Sequence, residues 1–216
     1  VNIICEQEAT ARFIARHIYH FFVADEPPVP QWPYQAPKDP DAIDQIAQAY
    51  FDSNYDIWSV MKFVFNSDFF KSEDCWYEKV KSPAELVSGI LRLTGEFDKP
   101  DPKLQSAAFD MATMGQSLLN PPSVEGWHTG PEWVNSGTLM KRVNFCSDLV
   151  GDLTRPGVQD IIARVKIQGD LSPEELVDTC LDLIGPLEVT SNSKQELVSH
   201  AQKNGVLRWD TAKENE

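Results

Sequence analysis

"SPAELVSGILRLTG", residues 82–95, decides the fold class. Ser82 stands where a helix N-cap belongs, and Pro83 follows at the first helical position, where a missing N–H costs nothing. Glu85 lies three residues after the cap and is placed to reach back to the Ser82 backbone N–H, completing a capping box. Gly95 is the stop. The same grammar recurs in "SPEELVDTCLDLIG" (172–185), with Ser172, Pro173, Glu175 and Gly185. It recurs again in "SKQELVSHAQKNG" (193–205), where Ser193 and Glu196 form the expected box and Gly205 the stop.

Working outward, period-3.6 stripes fill most of the remaining chain. "ATARFIARHIYHFF" (9–22) sets Ile14, Ile18, Phe21 and Phe22 on one face, and Asp25 with Pro27–Pro28 ends it. Asp39 caps a helix with Pro40 first and Ile43, Ile46, Ala47 and Tyr50 as its stripe. "DIWSVMKFVF" (56–65) places Ile57, Val60, Met61, Val64 and Phe65 at helical spacing. Further helices are expected over 102–118, along Leu104, Ala108, Met111 and Leu118, over 136–150, along Leu139, Val143, Cys146 and Val150, and over 158–165. No segment alternates with period two over a useful length. The expectation is an all-α fold, a compact multi-helical array with long proline-rich loops. Those loops exclude the short connections of an up-down bundle. A composition change at "GDLTRPG" divides a main helical domain, 1–150, from a smaller appended helical segment, 151–216.

Composition narrows the function classes. A chain of 216 residues buries roughly 70% of its unfolded surface and needs no staples. Its 33 acidic residues against 19 basic ones give a net charge of −14. That balance argues against nucleic-acid binding, which needs a cationic surface, and against docking on anionic lipid. No run approaches the roughly 18 apolar residues of a membrane span. The cysteines at 5, 75, 146 and 180 form neither a zinc pattern nor a small disulfide framework. Buried free thiols are expected, with a single pair left open.

Several stretches together resemble the bacterial domain-of-unknown-function 1800 family: "TARFIARHIYHFFVADEPP", "NSDFFKSE", "KVKSPAELV", "MGQSLLNPPSVEGWHTGPEWVNSGTLMKRVNF" and "LSPEELVDTCLDL". The proline–glycine–tryptophan block among them is the most specific. The chain is similar to the C-terminal half of such a protein. On that basis it reads as a fragment, with the N-terminal half and a final helical segment after 210 missing. The resemblance implies a helical fold and a partner of the domain-of-unknown-function 1501 family, often encoded beside it and often exported. It therefore points to an exported or envelope-associated bacterial protein, and it implies no established reaction.

The block "NPPSVEGWHTGPEWVNSG" (120–137) carries the candidate chemistry. Pro121 and Pro122 force an extended chain. Gly126 and Gly130 permit tight turns, and Trp127 and Trp133 pin the loop by burying large rings. A structural corner, with both rings buried, is one reading. A ligand or partner surface is the second. Glu125 and His128 as an acid/base or metal pair is the third. Asn135, Arg142 and Asn144 flank the block and are expected to support it, with Asn144 bonding loop carbonyls. Lys81 lies beside the Ser82 cap, placed to meet a carboxylate.

His17 and His20 stand at i, i+3 between Arg12 and Arg16, but no further ligands accompany them, so no metal is expected. No phosphate loop, G-x-S-x-G elbow, H-E-x-x-H or Rossmann glycine run is present, and no cofactor is expected. The loop "VPQWPYQAP" sets Trp32 and Tyr34 among prolines, either wrapping its own domain or facing a partner or sugar rings. These residues support three functional readings. The first is an interaction or scaffold module. The second is an enzyme whose site straddles this half and the missing one, using Glu125 and His128. The third is a carbohydrate-binding surface of Trp32, Tyr34, Trp127 and Trp133.

Overall fold

The computed structural model describes residues 1–27, 35–95, 97, 99–124, 126, 127, 129–185, 187, 189–203 and 205–209. Among them the fold is all-α, with no strand and two isolated bridges, Ser123 with Gly126 and Leu171 with Leu207. The helices are α1 (Asn2–Cys5), α2 (Glu8–Phe22), α3 (Pro40–Asp52), α4 (Ile57–Asn66), α5 (Asp68–Lys71), α6 (Pro83–Thr94), α7 (Leu104–Thr113), α8 (Ser136–Val150), α9 (Pro156–Lys166), α10 (Pro173–Ile184) and α11 (Ser191–Gln202). They fall into two compact units. One holds Val1–Ser88 with Pro102–Phe145, and the other holds Gly89–Asp101 with Cys146–Glu216.

In the first unit α2 packs on α3 and α3 on α4. The expected stripe of α3 is its core: Ile43, Ile46, Ala47 and Tyr50 are all buried. Asp39 caps it by accepting the Ala42 N–H at 3.0 Å. The seam of α2 differs from expectation. Ala11, Ala15 and Tyr19 are buried, Ile14 and Ile18 only partly so, and Phe21 and Phe22 are exposed. Alanines at i and i+4 let the two helix backbones approach closely, so the small residues take the contact line and the larger apolar ones flank it. In α4, Val60 and Val64 are fully buried while Ile57 and Phe65 face outward, again a narrower seam than the five-residue stripe predicts. Phe65 instead stacks edge-on against Phe22 and Phe70, with ring centroids 5.3 and 5.2 Å apart.

Caps decide the helix ends. The box at α6 forms as expected: Ser82 N–H donates to Glu85 Oε2 at 2.7 Å and Glu85 N–H to Ser82 Oγ at 3.3 Å. The box at α10 forms likewise between Ser172 and Glu175. The box expected at Ser193 does not form. Thr190 captures the Ser193 N–H at 3.2 Å, so α11 starts three residues earlier and Ser193 lies inside its first turn. The helix expected to reach Leu118 ends at Thr113, because Gly115 and Gln116 donate back to Ala112 and Met111. That bond pair is the Schellman closure, which satisfies the last carbonyls.

In the second unit α10 packs on α11 and α9, with Val158, Val165, Leu171, Val177 and Val198 buried. Lys194 pairs with Asp178 across α10 and α11 at 2.5 Å. Gly157 meets the end of α6 so closely that an added Cβ would collide with the Leu93 carbonyl oxygen. This contact brings 89–101 into the same unit as the C-terminal helices. No disulfide joins the four cysteines. Cys5, Cys75 and Cys146 are half-buried and Cys180 is exposed, so none is as deeply buried as expected. No helix among the described residues is long and apolar enough to cross a membrane.

Candidate functional site

Three segments of the first unit converge on one polar cluster: the end of α2, residues 78–84, and the block at 120–137 with the start of α8. The chain leaves α2 through Val23 and Ala24, both buried, and delivers Asp25 and Glu26 into the interior. Asp25 is 3% exposed. Its carboxylate accepts the Val80 N–H at 2.7 Å and faces the Lys79 ammonium at 3.4 Å. Its own N–H donates to the Glu78 carbonyl at 3.2 Å. A carboxylate bonded by a backbone amide and a cation is acceptor-only and strongly held.

Glu26 is 5% exposed. It accepts the Lys38 N–H at 2.9 Å and lies 3.6 Å from the Arg16 guanidinium. Arg16, also buried, donates to the carbonyls of Pro27 and Gln35, both at 3.1 Å. Arg16 and Glu26 therefore hold both described ends of the proline-rich segment. Such a pair is costly to desolvate and is kept only where each partner finds further hydrogen bonds, as these do. The Glu26 N–H donates to His20 Nδ1 at 2.9 Å. Burial, then the nearby Lys79 ammonium, holds the His20 imidazole below its ordinary range. Close by, burial and then Asp39 push the Tyr19 phenol well above the usual tyrosine range.

The block meets this cluster at Gly130. Its φ is +59°, and a Cβ there would lie 3.2 Å from both Cγ and Oδ2 of Asp25. Only glycine lets the backbone turn left-handed and admit the carboxylate against it. A short 3-10 turn, Gly130–Trp133, follows and buries Trp133 to 6% exposure. Asn135 then caps α8, its Oδ1 accepting from the N–H groups of Gly137 and Thr138, both at 3.0 Å. Thr138 Oγ1 returns a bond to the Trp133 carbonyl at 2.9 Å. Arg142 is buried and donates to the Lys81 carbonyl at 2.9 Å. Gln116, likewise buried, accepts the Ala84 N–H at 2.8 Å.

The structure separates the sequence candidates. Trp133, Asn135, Arg142 and Arg16 join the converging segments. Trp127 is half-buried beside Gly126, whose N–H bonds the Ser123 carbonyl at 3.1 Å. Pro121 and Pro122 are exposed. Asn144 lies on the exposed side of α8, and Arg142 is the side chain that holds a carbonyl. Lys81 contributes its backbone while its side chain is exposed. Arg12 pairs with Glu8 and Asp44 at the surface. His17 is exposed and packs edge-on to Phe13 at 4.4 Å, while His20 turns toward Glu26. Glu125, His128, Trp32 and Tyr34 lie outside the described residues. No group of three metal-binding side chains occurs among the described residues.

Sequence reasoning missed Asp25, Glu26, Lys79 and Gln116. The one usable signal was an acidic pair placed between an apolar helix end and two prolines. Solvent is the default surrounding for such charges, and only the arrival of residues 78–80 and 130 makes them interior.

Arg142 also sets the rotation of α8. Thr138, Arg142, Phe145 and Leu149 form its covered side. Of the expected stripe, Leu139, Val143 and Val150 are 48%, 54% and 40% exposed while Cys146 is half-buried, and the neighbouring Met140 is 59% exposed. Phe109 on α7 is likewise 68% exposed.

No curated protein and no solved structure matches the chain. The family model described as "Protein of unknown function (DUF1800)" matches residues 1–212. With that match spanning nearly the whole length, the chain belongs to the DUF1800 family.

Proposed function

We propose that the chain is an interaction module that docks a partner helix along α8. The exposed apolar stripe of that helix carries this reading. Leu139 and Val143 stand at the four-residue step of a helix-pairing seam, and Met140 widens it. Fully burying side chains of this size gains about 1.5–3 kcal/mol each, so three half-covered ones leave roughly 2–4.5 kcal/mol for a partner. A helix with its own apolar seam would realise that gain by laying its side chains between these. The chain's net charge of −14 favours a partner with lysines or arginines at the rim. A protein of the domain-of-unknown-function 1501 family is the first candidate to supply that helix.

The enzyme reading rests on Glu125 and His128, and the carbohydrate reading on Trp32, Tyr34, Trp127 and Trp133. Trp133 is buried and offers no free ring face. The two interior carboxylates are engaged in holding backbone. No observation favours either reading over docking.

The test places a photo-crosslinking residue at Val143 in the full-length protein in its native host. A crosslink to one amphipathic helix, lost in the Leu139→Ser/Met140→Ser variant, supports docking. Because these side chains are already half in water, that variant should melt within about 2 °C of the parent. Retention of the crosslink in the variant, or a large loss of stability, refutes it.

A further inference from the structure

We propose that His20 is an acid-released latch on the proline-rich segment, holding Glu26, and through it both described ends of that segment, only while its imidazole is neutral. The geometry is specific. His20 Nδ1 accepts the Glu26 N–H at 2.9 Å, so its lone pair must be free and the ring proton must sit on Nε2. Protonation turns Nδ1 into a donor facing a donor, and the bond is lost.

Glu26 is the pivot of the latch. Its backbone rests on His20, while its carboxylate takes the Lys38 N–H and faces Arg16. Arg16 in turn holds the Pro27 and Gln35 carbonyls. Displacing Glu26 therefore loosens residues 26–27 and 35–38 together.

The charged groups around the ring set the direction. Lys79, from the segment before α6, donates its ammonium to the His20 carbonyl and opposes a second positive charge. Lys38, ahead of α3, and His17, one turn back on α2, oppose it too. Asp25 favours it, and Glu26 presents its N–H. Burial is the largest influence and also favours the neutral ring.

The folded-state affinity for the proton therefore lies below the ordinary value of 6.5, and the unfolded chain takes up the proton first as pH falls. The stability contributed by the neutral ring is fully present above about pH 6.5 and declines as pH drops through and below that value.

The experiment uses the full 216-residue chain. Nitrogen-15 spectra of the His20 ring at pH 7.5 should show the Nε2–H tautomer; an Nδ1–H tautomer overturns the proposal. Hydrogen exchange of the Glu26 and Lys38 amides, corrected for intrinsic rate, is then followed from pH 7.5 to 5.0. Protection should fall at least tenfold in the parent. In His20→Asn the amide oxygen stands close to the Nδ1 position and does not titrate, so protection should stay within threefold across the range. Flat protection in the parent, or the same tenfold fall in His20→Asn, overturns the latch. Should His20→Asn fail to fold, the tautomer and the parent's exchange profile decide the matter alone.

Discussion

Replacing Asp25 by alanine tests whether the interior carboxylate holds the converging segments together. The substitution orphans the Val80 N–H, now bonded at 2.7 Å, and a buried donor left without a partner costs about 1–3 kcal/mol. It also removes the contact with Lys79, whose side chain is 38% exposed. Solvent screens that pair, so it adds only about 0–1 kcal/mol. The expected loss is roughly 1–4 kcal/mol. For a unit of this size that lowers the midpoint by about 4–15 °C. Asp25→Asn keeps an acceptor for Val80 and should cost only about 1 kcal/mol. Lys79→Ala should cost less than about 1 kcal/mol.

Thermal and urea unfolding, followed by far-UV circular dichroism, measure all three variants. Tryptophan emission adds a local readout, because Gly130 rests on Asp25 and leads directly into the buried Trp133. A red shift in Asp25→Ala before global unfolding is expected. The reasoning is refuted if Asp25→Ala melts within 1–2 °C of the parent, or if Lys79→Ala costs as much as Asp25→Ala, for then the ion pair and not the amide bond would be the tie.

Other substitutions probe separate contacts. Trp133→Ala empties a site that is 6% exposed and should cost about 3–5 kcal/mol in urea unfolding. Arg142→Met abandons the Lys81 carbonyl and should cost about 1.5–3 kcal/mol, with α8 remaining helical by circular dichroism. Thr190→Ala should cost about 1 kcal/mol and Ser193→Ala distinctly less, since Thr190 is the cap that holds α11; the reverse order would restore the start at Ser193. Gly157→Ala should lower the midpoint of the second unit by several degrees, because its methyl would meet the Leu93 carbonyl.

The helices of this protein were legible where their signals are local. A serine, a proline and a glutamate within four residues make a capping box whatever surrounds them, and the boxes at Ser82 and Ser172 form as written. The box at Ser193 lost to a better-placed neighbour, Thr190, which lies one turn upstream. Local grammar names the caps available, and the competition among them is settled by which hydroxyl reaches which amide. The stripe of α3 was legible for a related reason: both its neighbours press on the same side, so the apolar face and the buried face coincide.

Elsewhere the apolar face and the buried face part company, and only the tertiary structure decides between them. Hydrophobicity alone points to the largest apolar side chains of α2, yet close helix approach favours Ala11 and Ala15 on the contact line and leaves Phe21 at the surface. In α8 the bond from Arg142 to Lys81 turns the helix so that Leu139 and Val143 face outward, because an unsatisfied buried guanidinium costs more than half-covered aliphatic groups. The candidate site shows the same division. The Pro–Gly–Trp block announced a tight corner, since prolines and glycines restrict or free the backbone by themselves. That the corner rests on Asp25, far from it in sequence, depends on contacts between segments distant in the chain. No property of any single segment encodes those contacts, because burial belongs to the partner that arrives and not to the residue that waits.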